Sequence, residues 1–286
     1  MTGILIVDKP AGWTSQDVVS KLRGVMHERR AGHGGTLDPM ATGVLPVFLG
    51  RATRAVPFFE NAEKEYIADI RFGCVTDTQD TTGTVLEQRP VSCTEAEVRA
   101  ALAAMQGVRM QLPPMYSAVK IGGKKLYELA RAGKEVERKA RPIELKELEL
   151  LDFSGEAARF RVLCSKGTYV RTICHDLGAA LGCGGCMSAL RRTRAGCYGI
   201  GQAYTMEQIL AGEAQLLPVD SLFAAHPAVT LPPAQEARCR HGNPVPCAGL
   251  PDGRCRVYAK DGSFLMLGEC REGTLFTVKS FFEVSS

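Results

Sequence analysis

Apolar runs typical of β-strands recur along this chain without a regular alternation with helices, and this pattern most constrains its fold. The strand-like segments are 3–7, 44–50, 65–73, 82–88, 143–153 and 158–165. Two helices are predicted to begin at TSQD (14–17) and TEAE (94–97), because both match the capping box. Since no βαβ rhythm is present, the sequence predicts an α+β fold with a mixed, largely antiparallel central sheet and flanking helices.

A β-hairpin with a long tip is predicted around residue 77. In EYIADIRFG (65–73), the side chains of Tyr66, Ala68, Ile70 and Phe72 share one face. The segment 82–88 is predicted to be the return strand, across the polar turn DTQDTTG.

The composition changes at the proline-rich stretch 217–233, and short strand-like segments separated by glycine-containing turns follow it. We therefore predict two domains, 1–227 and a small β-rich domain at 228–286.

Composition excludes several classes of protein. The chain has 286 residues, of which 45% are apolar, and no stretch approaches the roughly 20 apolar residues of a membrane helix. Only five apolar residues precede Asp8 and Lys9, too few for a signal peptide, so we expect a soluble, cytoplasmic protein. Eleven scattered cysteines favour reduced thiols over a disulfide framework. The single CxxC, CGGC at 183–186, lacks a second ligand pair and favours a glycine-rich turn over a metal site.

Positive charge is concentrated in one segment. Residues 120–146 contain nine basic and four acidic side chains, a net charge of +5, whereas the whole chain carries +4. Such a segment on a nearly neutral protein indicates a docking surface for a polyanion, although a solvated helix face remains the alternative.

Arg171 and Asp38 are candidate partners. Thr168 is predicted to cap a helix, and Arg171 would then lie in its first turn, where the helix dipole disfavours a cation. A nearby carboxylate or phosphate must compensate for this unfavourable interaction with the helix dipole. Asp38, in the glycine-rich loop GGTLDPMATG (34–43), is either a turn former or an ionised reagent held by an arginine.

Two other side chains allow two interpretations each. His33 is either structural or part of a site, and Tyr66 is either a core residue or a platform that stacks on a base. Tyr169 lies two positions before Arg171, at the same helix start. The motif DTTG (80–83) is close to that of an aspartic protease, but that chemistry needs a second Asp motif and the Asp-Thr/Ser-Gly tripeptide is not present, so we discount that activity.

The segment GHGGTLDPMATGVLPVFLG (32–50) resembles the catalytic motif of the TruB family of pseudouridine synthases. Further segments match the family in order and spacing: ILIVDKPAGWTS, KEYIADIRFGCVTDTQDTTG, PPMYSAVKIGGKKLYELAR and CSKGTYVRTICHDLG. The resemblance covers the chain to about residue 227, and the tail resembles the small PUA-like RNA-binding domain of the family less sharply.

The resemblance implies a role for each matching residue. Asp38 corresponds to the catalytic aspartate and Arg171 to the arginine that pairs with it. His33 corresponds to a histidine near the flipped nucleotide, Tyr66 to the tyrosine that stacks on the base, and Tyr169 to a second pocket tyrosine. Leu190 corresponds to a pocket leucine. Residues 120–146 correspond to an insertion that grips RNA, with backbone contacts expected from Lys120, Lys124, Lys125, Arg131 and Arg141.

The resemblance also implies the reaction, isomerisation of uridine 55 to pseudouridine in the T arm of tRNA. This reaction needs no cofactor, no metal and no obligatory protein partner. The aspartate has three open roles: attack at C1′, attack at C6, or removal of a ribose proton. Arg191, Arg192 and Arg194 are expected to contribute phosphate contacts. The alternative function is an RNA-binding or tRNA-folding protein without essential catalysis.

Overall fold

Helices and strands of this computed structural model are described for residues 1–247 and 249–282. The α-helices are α1 Ser15–Val25, α2 Val56–Phe59, α3 Glu95–Met105, α4 Leu126–Arg131, α5 Val170–Ala180, α6 Met206–Leu210 and α7 Pro233–Arg240. Short 3-10 helices span Gly50–Ala55, Ile200–Gln202 and Val219–Phe223. No helix within the described ranges has the length and apolar character needed to cross a bilayer.

A nine-stranded sheet forms the centre of the protein. Its strands are β1 Gly3–Lys9, β2 Ala31–His33, β3 Thr42–Leu49, β4 Lys64–Phe72, β7 Gly107–Gln111, β10 Arg141–Phe153, β11 Ala157–Cys164, β12 Gly185–Ala195 and β13 Tyr198–Gly199. The order is β1-β3-β12-β4-β11-β10-β7, with β2 on β3 and β13 on β12. All pairs are antiparallel except β12 with β3. The predicted α+β class and mixed, largely antiparallel sheet are confirmed.

Both predicted capping boxes are present. The Thr14 hydroxyl accepts a hydrogen bond from the Asp17 backbone N–H at 3.1 Å, and the Asp17 carboxylate accepts one from the Thr14 N–H at 2.8 Å. Thr94 and Glu97 form the same reciprocal pair at the start of α3. Each box satisfies two N–H groups that a helix start otherwise leaves unpaired.

The predicted pairing of the return strand (82–88) with the strand at 65–73 is wrong. Both edges of β4 are already paired, with β11 on one side and β12 on the other. The chain leaves the sheet at Gly73, where φ is +80°, and a short strand β5 (Cys74–Thr76) pairs instead with β6 (Val85–Gln88). A second small hairpin, β8 (Lys120–Ile121) with β9 (Lys124–Lys125), lies in the basic segment.

The predicted Thr168 cap is also wrong. The Thr168 hydroxyl donates to the Ser165 carbonyl at 3.0 Å, and α5 begins after Tyr169 without a side-chain cap. The buried side chain of Gln111 holds this turn instead, because its amide accepts from the Tyr169 N–H at 2.8 Å and donates to the Tyr169 carbonyl at 3.1 Å. The end of β7 thus fixes the start of α5.

Close packing explains the CGGC stretch. Gly184 has φ +74° in the turn between α5 and β12, and a Cβ on Gly178 of α5 would lie 2.1 Å from the Gly185 nitrogen. These glycines let the helix lie directly against the strand. Within the described ranges no group of three or more His, Cys, Asp or Glu side chains is arranged to hold a metal, and all eleven cysteines are free.

A second sheet begins at Ala228. It consists of β14 Ala228–Thr230, β15 Val245–Pro246, β16 Gly253–Tyr258, β17 Phe264–Arg271 and β18 Thr274–Ser280, in the order β14-β16-β17-β18-β15. Leu267 of this sheet and Phe281, which directly follows β18, share one apolar cluster with Ile4 and Phe48 of the central sheet. Because this core crosses residue 228, the division into two domains stays a prediction, and residues 248 and 283–286 of the predicted second domain lie outside the described ranges.

Lys9 is a buried cation at the end of β1. Its ammonium group donates to the carbonyl oxygens of Pro10 at 2.9 Å, Trp13 at 2.6 Å and Pro39 at 3.2 Å, which joins the loop before α1 to the loop that contains Asp38. Burial lowers the pKa of Lys9 to about 8, and the nearby Asp38 carboxylate opposes that shift. The charge is therefore retained at neutral pH by its three acceptors and by Asp38.

Replacing Lys9 by methionine should lower the free energy of unfolding by about 2 kcal/mol, because the Pro10 and Trp13 carbonyl oxygens lose the Lys9 donor and the Pro39 carbonyl keeps only the Gly12 N–H. Urea unfolding followed by fluorescence of Trp13, the only tryptophan, measures this change. Lys21→Met, at an exposed position of α1, is the matched control. Equal unfolding midpoints for the two variants would contradict a structural role for the buried ammonium group.

Candidate active site

A cavity of about 470 Å³ opens where the loop before β3, the start of β4, the middle of β12 and the start of α5 meet. All six residues predicted to form the site line it: His33, Asp38, Tyr66, Tyr169, Arg171 and Leu190. The structure thus brings together side chains that are up to 157 positions apart in the sequence.

Asp38 and Arg171 form a bidentate ion pair in this cavity. The Arg171 Nε lies 2.9 Å from Asp38 Oδ2, and Nη2 donates to Oδ1 at 3.2 Å. The Arg171 side chain is 5% exposed, whereas that of Asp38 is 36% exposed. The arginine is therefore a fixed support, and the carboxylate still faces the open cavity.

Two backbone carbonyls complete the surroundings of the guanidinium. Arg171 Nη1 donates to the Thr78 carbonyl at 3.1 Å, and Nη2 donates to the Tyr116 carbonyl at 2.9 Å. Asp38 is thus the anion expected beside a cation in the first turn of a helix. The two carbonyl dipoles hold the planar guanidinium group of Arg171 in place.

Asp80 is a member of this site that sequence reasoning missed. Its buried carboxylate lies 3.8 Å from Arg171 Nε, and its Oδ1 accepts from the Thr78 hydroxyl and from the Thr82 N–H and hydroxyl. Threonines two positions before and after an aspartate are typical of a turn that immobilises the carboxylate. The spacing of these threonines around Asp80 was therefore a signal in the sequence for an immobilised carboxylate. The comparison of DTTG with the aspartic-protease motif did not use it.

The loop that contains Asp38 is anchored on both sides. The Ser15 hydroxyl accepts from the Leu37 N–H at 2.8 Å, the Asp38 carbonyl accepts from the Ala41 N–H at 3.0 Å, and Lys9 holds Pro39. Gly35 has φ +110°, a conformation that residues with a Cβ rarely adopt. The position of the carboxylate is therefore set before any substrate binds.

The burial of Arg192 contradicts its predicted phosphate contact. Its side chain is 1% exposed, and it donates to the Val44 carbonyl at 2.6 Å and to the Gly35 carbonyl at 3.1 Å. Arg191 pairs with Asp8 through two hydrogen bonds. Strand β12 runs through the centre of the sheet, and Arg192 is buried there under the Asp38 loop, whereas the phosphate contacts of the partly buried Arg191 and Arg194 stay a prediction.

Strands β4 and β12 supply the apolar wall of the cavity. Tyr66 is the cross-strand partner of Arg192, and Leu190 is the partner of Ala68. Tyr66 and Leu190 are each 8% exposed. Burial raises the pKa of Tyr66, with Arg192 opposing, so the phenol is neutral at physiological pH. Tyr66 is thus both part of the core and part of the cavity wall.

Tyr169 and His33 complete the described wall. Tyr169 is partly buried at the first residue before α5, where Gln111 holds its backbone. His33 is partly buried at the end of β2, and its Nδ1 has no hydrogen-bond partner. Burial, followed by the Arg192 charge, lowers the pKa of His33.

The predicted RNA-backbone residues lie outside the cavity wall. Lys120, Lys124, Arg131 and Arg141 are exposed, and Lys125 is partly buried against the Tyr127 ring, with its ammonium group 5.4 Å from the ring centroid. The Arg131 guanidinium lies 5.5 Å from the same centroid. These cations are available to an external polyanion.

Comparison with protein families matches nearly the whole chain. Residues 23–170 match the TruB family pseudouridylate synthase N-terminal domain, and 171–224 match the tRNA pseudouridylate synthase B C-terminal domain. Residues 227–277 match the C-terminal domain of pseudouridine synthase II TruB.

Curated relatives are similar over nearly their full length. A tRNA pseudouridine synthase B of Aromatoleum aromaticum is 46% identical over 281 residues, covering 96% of this chain and 90% of the relative. The protein of the same name from Syntrophomonas wolfei is 44% identical over 279 residues, covering 94% and 93%.

Solved structures share the fold. A crystal structure of a Cbf5-Nop10-Gar1 complex aligns with a TM-score of 0.73 and 26% identity, over 99% of this chain and 85% of that chain. An H/ACA RNP bound to a substrate RNA containing 2′-deoxyuridine aligns with a TM-score of 0.73 at 24% identity, over 99% of this chain and 86% of that chain.

The environment of His33 predicts a pH-dependent contribution to stability. Because the folded-state pKa lies below the ordinary 6.5, the unfolded chain takes up a proton before the folded protein does as pH falls. The stability advantage of wild type over His33→Gln should therefore be constant above pH 6.5 and decrease as pH falls below it. Urea unfolding at several pH values measures the difference.

His241→Gln, at an exposed histidine, is the matched control for this measurement. An advantage of wild type over His33→Gln that grows as pH falls would contradict a buried, neutral imidazole.

Proposed function

This chain belongs to the TruB family of pseudouridylate synthases, and we propose that it isomerises uridine 55 to pseudouridine in the T arm of tRNA. Formation of pseudouridine in tRNA is the activity carried in the names of its curated relatives. The observation that carries the proposal for this chain is the Asp38 carboxylate, which faces a cavity of nucleoside size while Arg171 holds it from behind.

The reaction breaks the bond between N1 and C1′, turns the uracil within the site and joins C5 to C1′, and the C5 hydrogen leaves as a proton while N1 takes up a proton. Its atoms balance without an oxidant, a reductant or an added group. Attack at C1′, attack at C6 and removal of a ribose proton all require an ionised carboxylate beside the reacting nucleotide. The guanidinium of Arg171 holds the Asp38 carboxylate in place through both of its oxygens.

The apolar wall suits the intermediate stage of this reaction. Once the bond to C1′ is broken, the uracil must stay in the site and water must be kept out. The Tyr66 ring and the Leu190 side chain offer a platform that can stack on a base and a surface that excludes water. Tyr169 lines the same cavity at the start of α5.

Recognition of the RNA requires contacts beyond the cavity. A uridine in a folded loop must be flipped out, which costs a few kcal/mol of stacking. The exposed cations Lys120, Lys124, Arg131 and Arg141 can contact phosphates and offset this cost, and Lys125 extends the same basic surface. The proposed partner is therefore the T arm of tRNA in the cytoplasm, without an obligatory protein partner.

Asp38→Asn should abolish the reaction. A T-arm RNA tritiated at uracil C5 should release tritium with wild type, and release by the variant should fall by at least about 10³-fold, because an amide cannot act as base or nucleophile. Asp152→Asn, at an exposed aspartate of β10, should match wild type. The same RNA with cytidine in place of uridine at position 55 should release no tritium, which tests the position of the modified nucleotide.

Each failure in this assay has a separate meaning. Absence of tritium release from wild type would contradict the isomerase and favour an RNA-binding or tRNA-folding protein. Equal release by wild type and Asp38→Asn would contradict the role of Asp38 alone.

Arg171→Lys should impair chemistry more than RNA binding. An ammonium group cannot hold both oxygens of Asp38 and the Thr78 and Tyr116 carbonyls at once. We expect the single-turnover rate to fall about 10- to 100-fold while the Kd for RNA changes less than about threefold. Arg99→Lys, at an exposed arginine of α3, is the control, and an unchanged single-turnover rate for Arg171→Lys would refute this role.

A further inference from the structure

Gln111, the last residue of β7, holds one residue of the cavity wall from outside the cavity. Its side-chain oxygen accepts from the Tyr169 N–H at 2.8 Å, and its side-chain nitrogen donates to the Tyr169 carbonyl at 3.1 Å. A backbone N–H only donates and a carbonyl only accepts, so both ends of the amide are used in a single orientation. Gln111 is 5% exposed, and it lies behind Tyr169 rather than among the residues that line the cavity.

This contact fixes the point at which α5 begins. The Tyr169 carbonyl also accepts from the Thr172 N–H at 3.1 Å and from the Ile173 N–H at 3.2 Å, which are the first backbone bonds of the helix. No side chain of the helix start itself acts as a cap. The amide of Gln111 therefore determines both where the helix starts and how the backbone of Tyr169 is oriented.

The amide is itself held by the central sheet. Strand β7 pairs with β10 along its whole length, from Gly107 to Gln111. Arg109 lies two positions before Gln111 on the same face of the strand, and it donates to the Met105 carbonyl at 3.3 Å. The position of the Gln111 side chain is thus set by the sheet and not by the helix that it holds.

Tyr169 depends on this support more than Arg171 does. The Arg171 guanidinium has its own contacts with Asp38 and with the Thr78 and Tyr116 carbonyls. In the described part of the chain, the directional contacts of Tyr169 are those of its backbone. The place of the Tyr169 ring in the cavity wall therefore follows from the way its backbone is held.

We propose that Gln111 is a positioning residue for the isomerisation, which it serves by placing the Tyr169 ring beside the uracil, and this inference rests on the proposed function. The detached uracil must turn within the cavity without leaving it, so the wall must keep its shape during the reaction. A displacement of about 1 Å in a group that positions a substrate can cost on the order of 100-fold in rate.

Gln111→Met tests the role of the amide, because methionine has a similar length and can neither accept from the Tyr169 N–H nor donate to its carbonyl. We expect the single-turnover rate at saturating T-arm RNA to fall about 10-fold or more, while the Kd for RNA changes less than about threefold. Gln106→Met is the matched control and should keep the wild-type rate, because the exposed Gln106 amide bonds to the Lys146 carbonyl.

Thermal midpoints separate positioning from stability. A lower midpoint for Gln111→Met with an unchanged single-turnover rate would overturn the inference, since it would show a merely structural glutamine. Gln111→Asn is the second variant if the methionine variant does not fold. Its amide is one methylene shorter and cannot span both backbone groups of Tyr169, so its rate should fall as well.

A double-mutant cycle tests whether Gln111 acts through the Tyr169 ring. In a Tyr169→Ala background, adding Gln111→Met should change the remaining rate less than about twofold, because the ring that the amide positions is absent. An equal fall in the two backgrounds would overturn the inference and leave the proposed function intact. Absence of tritium release from wild type would overturn the proposed function itself.

A spectroscopic measurement tests the support without any reaction. In RNA-free protein labelled with 3-fluorotyrosine, the fluorine resonance of Tyr169 is assigned by its loss in Tyr169→Phe. We expect this resonance to move or broaden in Gln111→Met and to stay in place in Gln106→Met. A Tyr169 resonance unchanged by Gln111→Met would refute the positioning role, whatever reaction the protein catalyses.

Discussion

The ion pair between Arg171 and Asp38 is the interaction on which the rest of the site depends. Burying a guanidinium is costly unless its donors are satisfied. Here they are satisfied by three chain segments that surround Arg171 of α5: the Asp38 loop, the turn at 78–80 and the backbone of Tyr116. One side chain therefore ties together segments that come from different parts of the sequence. Loss of any one partner would leave charge unpaired and loosen the others.

The sheet brings these segments within reach of one another. Strand β12 pairs in parallel with β3 and antiparallel with β4, so the Asp38 loop, Tyr66 and Leu190 lie side by side. This register depends on Gly43, because a Cβ there would lie 2.2 Å from the Arg192 carbonyl. The single parallel pair of the central sheet is thus the one that positions the candidate active site.

Local signals in the sequence predicted the capped helices and the strand faces, because capping boxes and apolar periodicity depend on neighbouring residues. The contact of Asp38 with Arg171 could be suggested from the position of a cation in a first helical turn. Gln111, the burial of Arg192 and the approach of Asp80 to Arg171 could not, because each depends on a partner brought near by the sheet. The Thr168 cap failed for the same reason, since a distant amide, that of Gln111, holds the helix start.

A site that is formed before substrate arrives separates two energetic tasks. Lys9, Ser15 and Arg192 hold the Asp38 loop without any ligand, so no part of the binding energy of an RNA is needed to order it. Under the proposed function, the free energy of phosphate contacts at the exposed cations can then be used to unstack the target base. This division requires the cations to lie outside the cavity, and Lys120, Lys124, Arg131 and Arg141 do so.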